Sequence, residues 1–328
     1  MTEIGWYIHH HGLGHLARFR AIRPNVQASV VVCSSLPRPA ALPPDTTWVE
    51  LPRDDGDEGR GNPAHADPSA AGALHWAPIG HRGHATRMST MAALAPRLDA
   101  FVVDVSVEVT LLARLLGRRV VLVAQPGDRR DEPHLLGRRL AGAVLAPWPA
   151  AAASSATEAG LEHVGGISRH ASRARSADRR PGTVLALGGG GEDAEWDAML
   201  RAAQAAAPDR RWRLAGGSSW LEDPWDALCE ADVVITAGGQ NAIADVAAAG
   251  ARAVVVPRPR PFGEQQHTAA ALERLGLAVV VDDPAGCDWS DVLDRAGALE
   301  PDWSRWGVTG AAGRAAAIID RIAEGGHP

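Results

Sequence analysis

The stretch Ile235–Gly276, ITAGGQNAIADVAAAGARAVVVPRPRPFGEQQHTAAALERLG, changes character at short intervals. The apolar run Val233–Thr236 gives way to Ala-Gly-Gly, and helix-forming residues begin near Gln240. A second apolar run, Ala253–Val256, follows; Pro257 then breaks the chain, and Glu264, Gln265 and Gln266 open another helix. Strand, glycine turn, helix, strand and helix in that order make a βαβ unit of a parallel sheet. Gly238 and Gly239 remove side chains where strand passes into helix, so the free N–H groups of the helix start can hold an anion such as a diphosphate. Asp245, about one and a half turns into that helix, is spaced to accept hydrogen bonds from ribose hydroxyls. A carboxylate beside two amides, Glu264-Gln265-Gln266, offers the donors and acceptors that a hydroxyl-rich sugar ring needs.

The same alternation extends outward in both directions. Val184–Leu187, Arg213–Ala215 and Ala278–Val281 are further strand candidates of the second half. LALGGGGED, residues 185–193, is a glycine run between a strand and the helix near Ala194–Ala205, and reads either as an anion cradle or as a tight turn. In the first half, Ile4–Ile8, Ser29–Cys33, Trp48–Leu51, Phe101–Val103, Val120–Ala124 and Ala143–Ala146 are short apolar runs separated by helical stretches such as Val107–Leu116. Between the halves, His163–Thr183 is small, polar and arginine-rich, as a linker is. Two facing Rossmann-like domains are expected, at residues 1–166 and 167–308, with a helix at 309–328 packing back toward the first. Pro52–Arg82, rich in Gly, Pro, Asp and His, is too long and irregular for an ordinary connection.

Composition narrows the function classes. The 328 residues are 46% hydrophobic and 22% charged, which suits a globular protein of about two domains. A net charge of -6 argues against nucleic acid as a partner. The chain has no lysine, so a P-loop lysine and Schiff-base chemistry are both excluded. Three scattered cysteines suggest neither a disulfide framework nor a zinc ribbon. With no signal-peptide pattern and no membrane-length apolar run, a cytoplasmic location is expected, and peripheral membrane contact stays open.

The segment Leu187–Gly276 resembles the donor half of GT-B glycosyltransferases. It is most similar to the peptidoglycan lipid-linked N-acetylglucosaminyltransferase group, which has a glycosyltransferase family 28 C-terminal domain. The shared features are the glycine-rich strand end, the helix with an acidic residue, the Ala-Ala-Ala-Gly to Val-Pro run at 247–257 and the Gln265-Gln266 pair. It is also similar to the plant-type UDP-glycosyltransferase signature H-C-G-W-N-S-x-x-E with a later D/E-Q. Gly239, Asn241, Asp245 and Glu264-Gln265 match that pattern, while Ala237 and Gln240 replace its histidine and tryptophan. The resemblance implies a GT-B fold with Gly189, Gly190, Gly238, Gly239, Gln240 and Asn241 around a diphosphate. It also implies Trp220 and Leu221 near the nucleobase, Asp245 on the ribose, and a nucleoside diphosphate sugar as co-substrate with no cofactor or metal.

YIHHHGLGHLAR, Tyr7–Arg18, is the other distinctive stretch, and it resembles the G-x-G-G-H turn at the start of the same family through Gly12, Gly14 and His15. His15 at a helix start suits a general base, since an imidazole titrates at about 6.5. A metal site and a simple turn cap are the competing readings; His9 and His10 read as scaffolding and His11 as a supporting residue. Asp104, at a strand end, would orient His15, bind an acceptor hydroxyl or cap the helix after it; Glu108 shares that placement. Gln125–His134 could reach the cleft, where Arg129 or Arg130 would touch a charged acceptor; the favoured reading of both arginines is paired charges of an exposed turn. Asp54–Gly59 contains a D-x-D spacing that could hold a divalent ion, but reads rather as a solvated acidic loop, and His75, Trp76, His81 and His84 as an acceptor-side loop rather than a zinc site. The expected activity is inverting transfer of a hexose, UDP-linked by default, to an acceptor hydroxyl. Inversion is favoured because Leu272, not glutamate, stands eight positions after Glu264. The alternatives are a nucleotide-sugar hydrolase or epimerase, and a non-catalytic nucleotide-sugar binding module. Oligomeric state is not legible.

Overall fold

A run such as Ile4-Gly-Trp-Tyr-Ile8 has no polar position to turn toward water, so it is stable only where both faces are covered. A computed structural model, which describes residues 2–57, 61–153, 158–189, 191 and 193–326, shows how this is achieved. β1 (Glu3–Ile8) lies inside a seven-stranded parallel sheet with β2 (Ser29–Ser34), β3 (Thr46–Glu50), β4 (Ala100–Asp104), β5 (Arg119–Val123), β6 (Ala143–Ala146) and β7 (Leu161–His163). The order is β3-β2-β1-β4-β5-β6-β7. The connections carry α1 (Gly14–Ile22), α2 (Arg82–Leu94), α3 (Val107–Leu115) and α4 (Glu132–Leu140). β7 was not anticipated: Leu-Glu-His has no β-branched residue and pairs only with β6, at the sheet edge.

The second sheet repeats the scheme with β8 (Thr183–Leu187), β9 (Arg211–Ala215), β10 (Val233–Thr236), β11 (Arg252–Val255) and β12 (Val279–Val280), in the order β12-β11-β10-β8-β9. Its helices are α5 (Ala194–Ala206), α6 (Trp225–Glu230), α7 (Gln240–Ala248), α8 (Glu264–Arg274) and α9 (Trp289–Gly297). In open parallel sheets, ligands bind at the carboxyl ends of strands where the winding direction reverses. Here the reversals fall between β1 and β4 and between β8 and β10. Those four strand ends lead into the histidine loop, Asp104, Gly188-Gly189 and Gly238-Gly239. Topology alone therefore collects the sequence motifs at two crevices.

The last helix, α10 (Ala311–Ala323), belongs to the first sheet's core. Ala311, Ala315, Ile318, Ile319 and Ile322 pack with Ile4, Trp6, Val30, Val102 and Val121. The crossing between sheets is tight: a Cβ on Gly165, whose φ is +84°, would meet the Gly307 carbonyl oxygen at 2.2 Å. Arg314 fastens the same point by donating to the Val164 and Gly307 carbonyls. Truncating Ile319, which is 1% exposed, to alanine is expected to cost about 2–5 kcal/mol, the usual range for a buried aliphatic side chain. Urea unfolding of Ile319→Ala checks this; no change in midpoint would remove α10 from the first domain's core.

Candidate active site

The side chains after β1 and at the end of β4 meet because Tyr7 and Val103 are register partners in adjacent strands. His15, in the first turn of α1, points its Nδ1 to within 3.1 Å of Asp104 Oδ1, short of the alignment of a full hydrogen bond. Arg18, one turn further along α1, donates to the same oxygen at 2.7 Å. Burial by itself would raise the Asp104 carboxyl, but Arg18 and then His15 outweigh it and hold it below the usual carboxylate range. Asp104 does not cap α3; Ser106 does, accepting from the Val109 N–H. Between them Val105, a β-branched residue, sits at φ +67°, a strained conformation that costs on the order of 1–3 kcal/mol and is typical of functional sites.

The other histidines pack behind His15. His9 stacks on His10 with ring centroids 5.1 Å apart, and burial, followed by the charges of His15, His10 and His11, lowers its pKa to about 3. His10 and His11 turn their Nε2 atoms to Asp55 Oδ2, at 3.3 and 3.0 Å. Two carboxylates of the acidic loop are tied down rather than solvated: Asp55 takes these contacts and a two-pronged one from Arg53, and Asp54 is buried against Arg87, while Asp57 is exposed. A sequence spacing could not bring Asp55 to the histidines; the return of the chain after β3 does. His10, His11 and Asp55 are close enough to share a metal ion, as are His75, Asp131 and His134. In the second cluster, however, Arg129 Nη1 lies 3.1 Å from His134 Nε2. Arginine only donates, so that nitrogen is the acceptor and His134 Nδ1–H faces Asp131. Burial first, with the Arg129 charge also contributing, lowers His134 to about 4, which keeps it neutral at neutral pH.

The loop that carries His75 and Trp76 is tied down by carboxylates. Glu108 accepts from the backbone N–H groups of His75 and Trp76, at 2.7 and 3.1 Å, and His75 Nε2 lies 2.6 Å from Asp131. His81 caps α2 by accepting from the His84 N–H. Arg129 is buried rather than exposed. Its guanidinium lies 4.3 Å from the centre of the Phe262 ring, across the domain boundary, whereas Arg130 is an exposed partner of Asp128. Phe262, at φ +61°, also accepts a backbone hydrogen bond from Asp128 N–H.

Between the sheets lies a cleft of about 820 Å³. Its first-domain wall includes His9, His11, Gly12, Gly14, His15 and Arg18, with His75, Trp76, Glu108, Gln125, Arg129 and His134 beyond them. The second-domain wall includes Gly189, Gly239, Gln240, Asn241, Glu264 and Gln265. The head of α7 faces the head of α1: Asn241 Nδ2 donates to the Gly14 carbonyl at 2.8 Å, and Arg18 Nη2 donates to Gln240 Oε1 at 2.8 Å. Two helix N-termini converging on one crevice give a partial positive charge from both sides. Gly238, at φ +83°, makes the turn into α7.

Other expected residues face the cleft only in part or not at all. Gly190 lies outside the described residues. Gln265 is buried and its side-chain oxygen accepts from the Arg258 N–H, while Gln266 turns to the Arg258 carbonyl in a separate hollow with Trp196 and Met199. Trp220 is 48% exposed and Leu221 packs partly against the second domain's core; neither is among the cleft residues. Asp245 is turned toward the linker, where Ser168 Oγ donates to it at 2.5 Å, and burial raises its pKa to about 6. Arg18, Arg129, Phe262 and the His75–Asp131 pair lie in stretches the sequence marks, but their partners are assigned by what the fold sets beside them.

A family model described as the glycosyltransferase family 28 C-terminal domain matches residues 222–285. Among curated proteins, no sequence relative matches the chain. Solved structures resemble it over nearly its whole length. Acinetobacter baumannii MurG does so with a TM-score of 0.61 and 17% identity, over 99% of this chain and 100% of that one. A UDP-glucosyltransferase from Polygonum tinctorium capable of glucosylating indoxyl gives 0.65 and 15%, over 98% of each chain. The spinosyn rhamnosyltransferase SpnG, complexed with thymidine diphosphate, gives 0.57 and 17%, over 100% and 98%. The fold is GT-B, and the chain resembles glycosyltransferases of that fold.

Asp245 yields a test independent of activity. Its pKa in the folded state, about 6, lies above the unfolded value of about 3.9. The folded protein therefore binds this proton more tightly, and the stability it contributes is present below about pH 4 and lost as pH rises through 6. Asp245→Asn is expected to gain, relative to wild type, on the order of 2–3 kcal/mol between pH 4 and pH 7. Urea midpoints of both proteins at the two pH values measure this; an unchanged difference would place the carboxyl in solvent.

Proposed function

We propose that this GT-B chain is an inverting glycosyltransferase that moves a hexose from a nucleoside diphosphate sugar to the hydroxyl of an acceptor. Residues 1–166 would form the acceptor side, 167–308 the donor side, and 309–328 the helix that returns to the first domain. The observation that carries the reading is the His15–Asp104 pair on one wall of the cleft, opposite the head of α7 on the other. A base and an anion-binding helix start facing one crevice are what transfer from a diphosphate requires.

His15 takes the acceptor proton on its exposed-side nitrogen while the acceptor oxygen bonds to the anomeric carbon. The bond from that carbon to the diphosphate breaks with its electron pair going to the phosphate oxygen, and attack from the opposite face inverts the centre. Asp104 balances the imidazolium charge that forms. Gly189, Gly238, Gly239, Gln240 and Asn241, with the α1 turn at Gly12 and Gly14, supply N–H groups and dipole to the departing anion. Glu264 and Gln265 are the hexose contacts. Asp245 reaches a ribose only by sharing or replacing its Ser168 hydrogen bond. His75 and Trp76 face the acceptor. The reaction as proposed uses no cofactor or metal and takes place in the cytoplasm.

A donor screen beginning with UDP- and TDP-hexoses, run with and without hydroxyl acceptors, tests the reading. His15→Ala is expected to lower turnover by about 10²–10⁴-fold, the usual contribution of a general base. Asp104→Asn should act in the same direction. Full turnover by His15→Ala would remove the base, and free hexose released at the same rate without any acceptor would replace transfer by hydrolysis.

A further inference from the structure

Arg18 occupies a position that general-base chemistry alone does not need. It is 4% exposed, and its two terminal nitrogens serve different domains: Nη1 donates to Asp104 Oδ1 at 2.7 Å, and Nη2 donates to Gln240 Oε1 at 2.8 Å. The charge on Asp104 is wholly buried, so it needs a cation, but a cation satisfied within the first domain would serve as well. Here the cation also reaches the first residue of α7. Because arginine can only donate, it fixes which end of the Gln240 amide faces it. The Nε2 end then points away from Arg18, buried and without a partner among the described residues. A buried amide donor left open at the head of α7 is costly unless a ligand oxygen completes it.

We propose that Arg18 is a cross-domain positioning residue. By gripping Asp104 and Gln240 with one guanidinium, it sets the carboxylate behind His15 and the amide that meets the donor's diphosphate at the same time. The His15–Asp104 pair is then assembled for reaction only when the two domains are closed. The proposal rests on the glycosyl-transfer reading for its ligand but not for its geometry. Asn241 to the Gly14 carbonyl, and Phe262 against Arg129 and Asp128, are the neighbouring contacts that close with it. Neither touches Asp104. Arg18 is the side chain that joins the two chemistries.

The fork geometry makes the idea testable without removing charge. Lysine keeps the cation but cannot hold two acceptors in separate domains on a planar fork. In Arg18→Lys the turnover number should fall by about 10–100-fold with a melting temperature close to wild type, since small misplacement of reacting groups costs on that order. Gln240→Ala should lower it too, and the double variant should lose less than the product of the two single losses, because the single variants share one broken connection. Multiplicative losses in that cycle would overturn the proposal. Hydrogen exchange on the ligand-free protein provides the readout that does not require turnover. Arg18→Lys should raise exchange in α1 and in α7 together, whereas faster exchange confined to the first domain would reduce Arg18 to a local counter-ion. A wild type that processes no nucleotide sugar would sink the glycosyl-transfer reading, and the exchange pattern would still decide the role of Arg18.

Discussion

A buried carboxylate cannot stand alone in a protein interior, and the centre of this molecule is organised around that constraint. Asp104 ends a strand in the middle of the first sheet, with apolar neighbours along the rest of β4. Its charge survives because Arg18 and His15 reach it from α1. Those two residues are three apart, so both fall on the face of α1 that looks toward the end of β4. The ion pair is screened from water and holds both partners in place, which gives the imidazole a fixed setting. Such a pair adds little net stability over an apolar replacement, but losing one partner would strand the other charge.

The rest of the cleft follows from two sheets meeting at their carboxyl edges. In each, the strand order reverses once near the centre, and the loops that leave the reversal cannot be covered by a crossing helix. Glycine-rich turns at both places let helix heads approach within hydrogen-bonding distance across the boundary, as Asn241 and Gly14 do. The strained residues Val105 and Phe262 both lie on this cleft. Local strain persists where the surroundings over-determine the backbone, and here both neighbours are firmly held.

The sequence was most informative where chemistry depends on the backbone. Gly12, Gly14, Gly189 and Gly239 were legible because only a missing side chain lets N–H groups come close to a ligand, and all four line the cleft. His15 was legible for its position at a helix start after a strand. Side chains whose direction depends on helix rotation were harder to read. Asp245 lies in the expected helix but turns to Ser168, and Gln266 follows Gln265 yet faces another hollow, since adjacent helical residues point about 100° apart. The contacts Asp55–His11, His75–Asp131 and Arg129–Phe262 join residues from separate loops. No spacing rule connects such pairs.

What the sequence by itself determined is the pair of alternating α/β halves, the place of their glycine turns and the histidine that follows the first strand. Apolar runs too short for helices and too continuous for one-sided sheets leave few other arrangements. Tertiary structure alone decided which charges are paired and which face the cleft. Arg18 reads in sequence as an ordinary helix arginine. It becomes a link between domains only because the fold buries Asp104 on one side of it and brings Gln240 to the other. Burial and opposing partners are properties of the packed chain, and they set the electrostatics of the site.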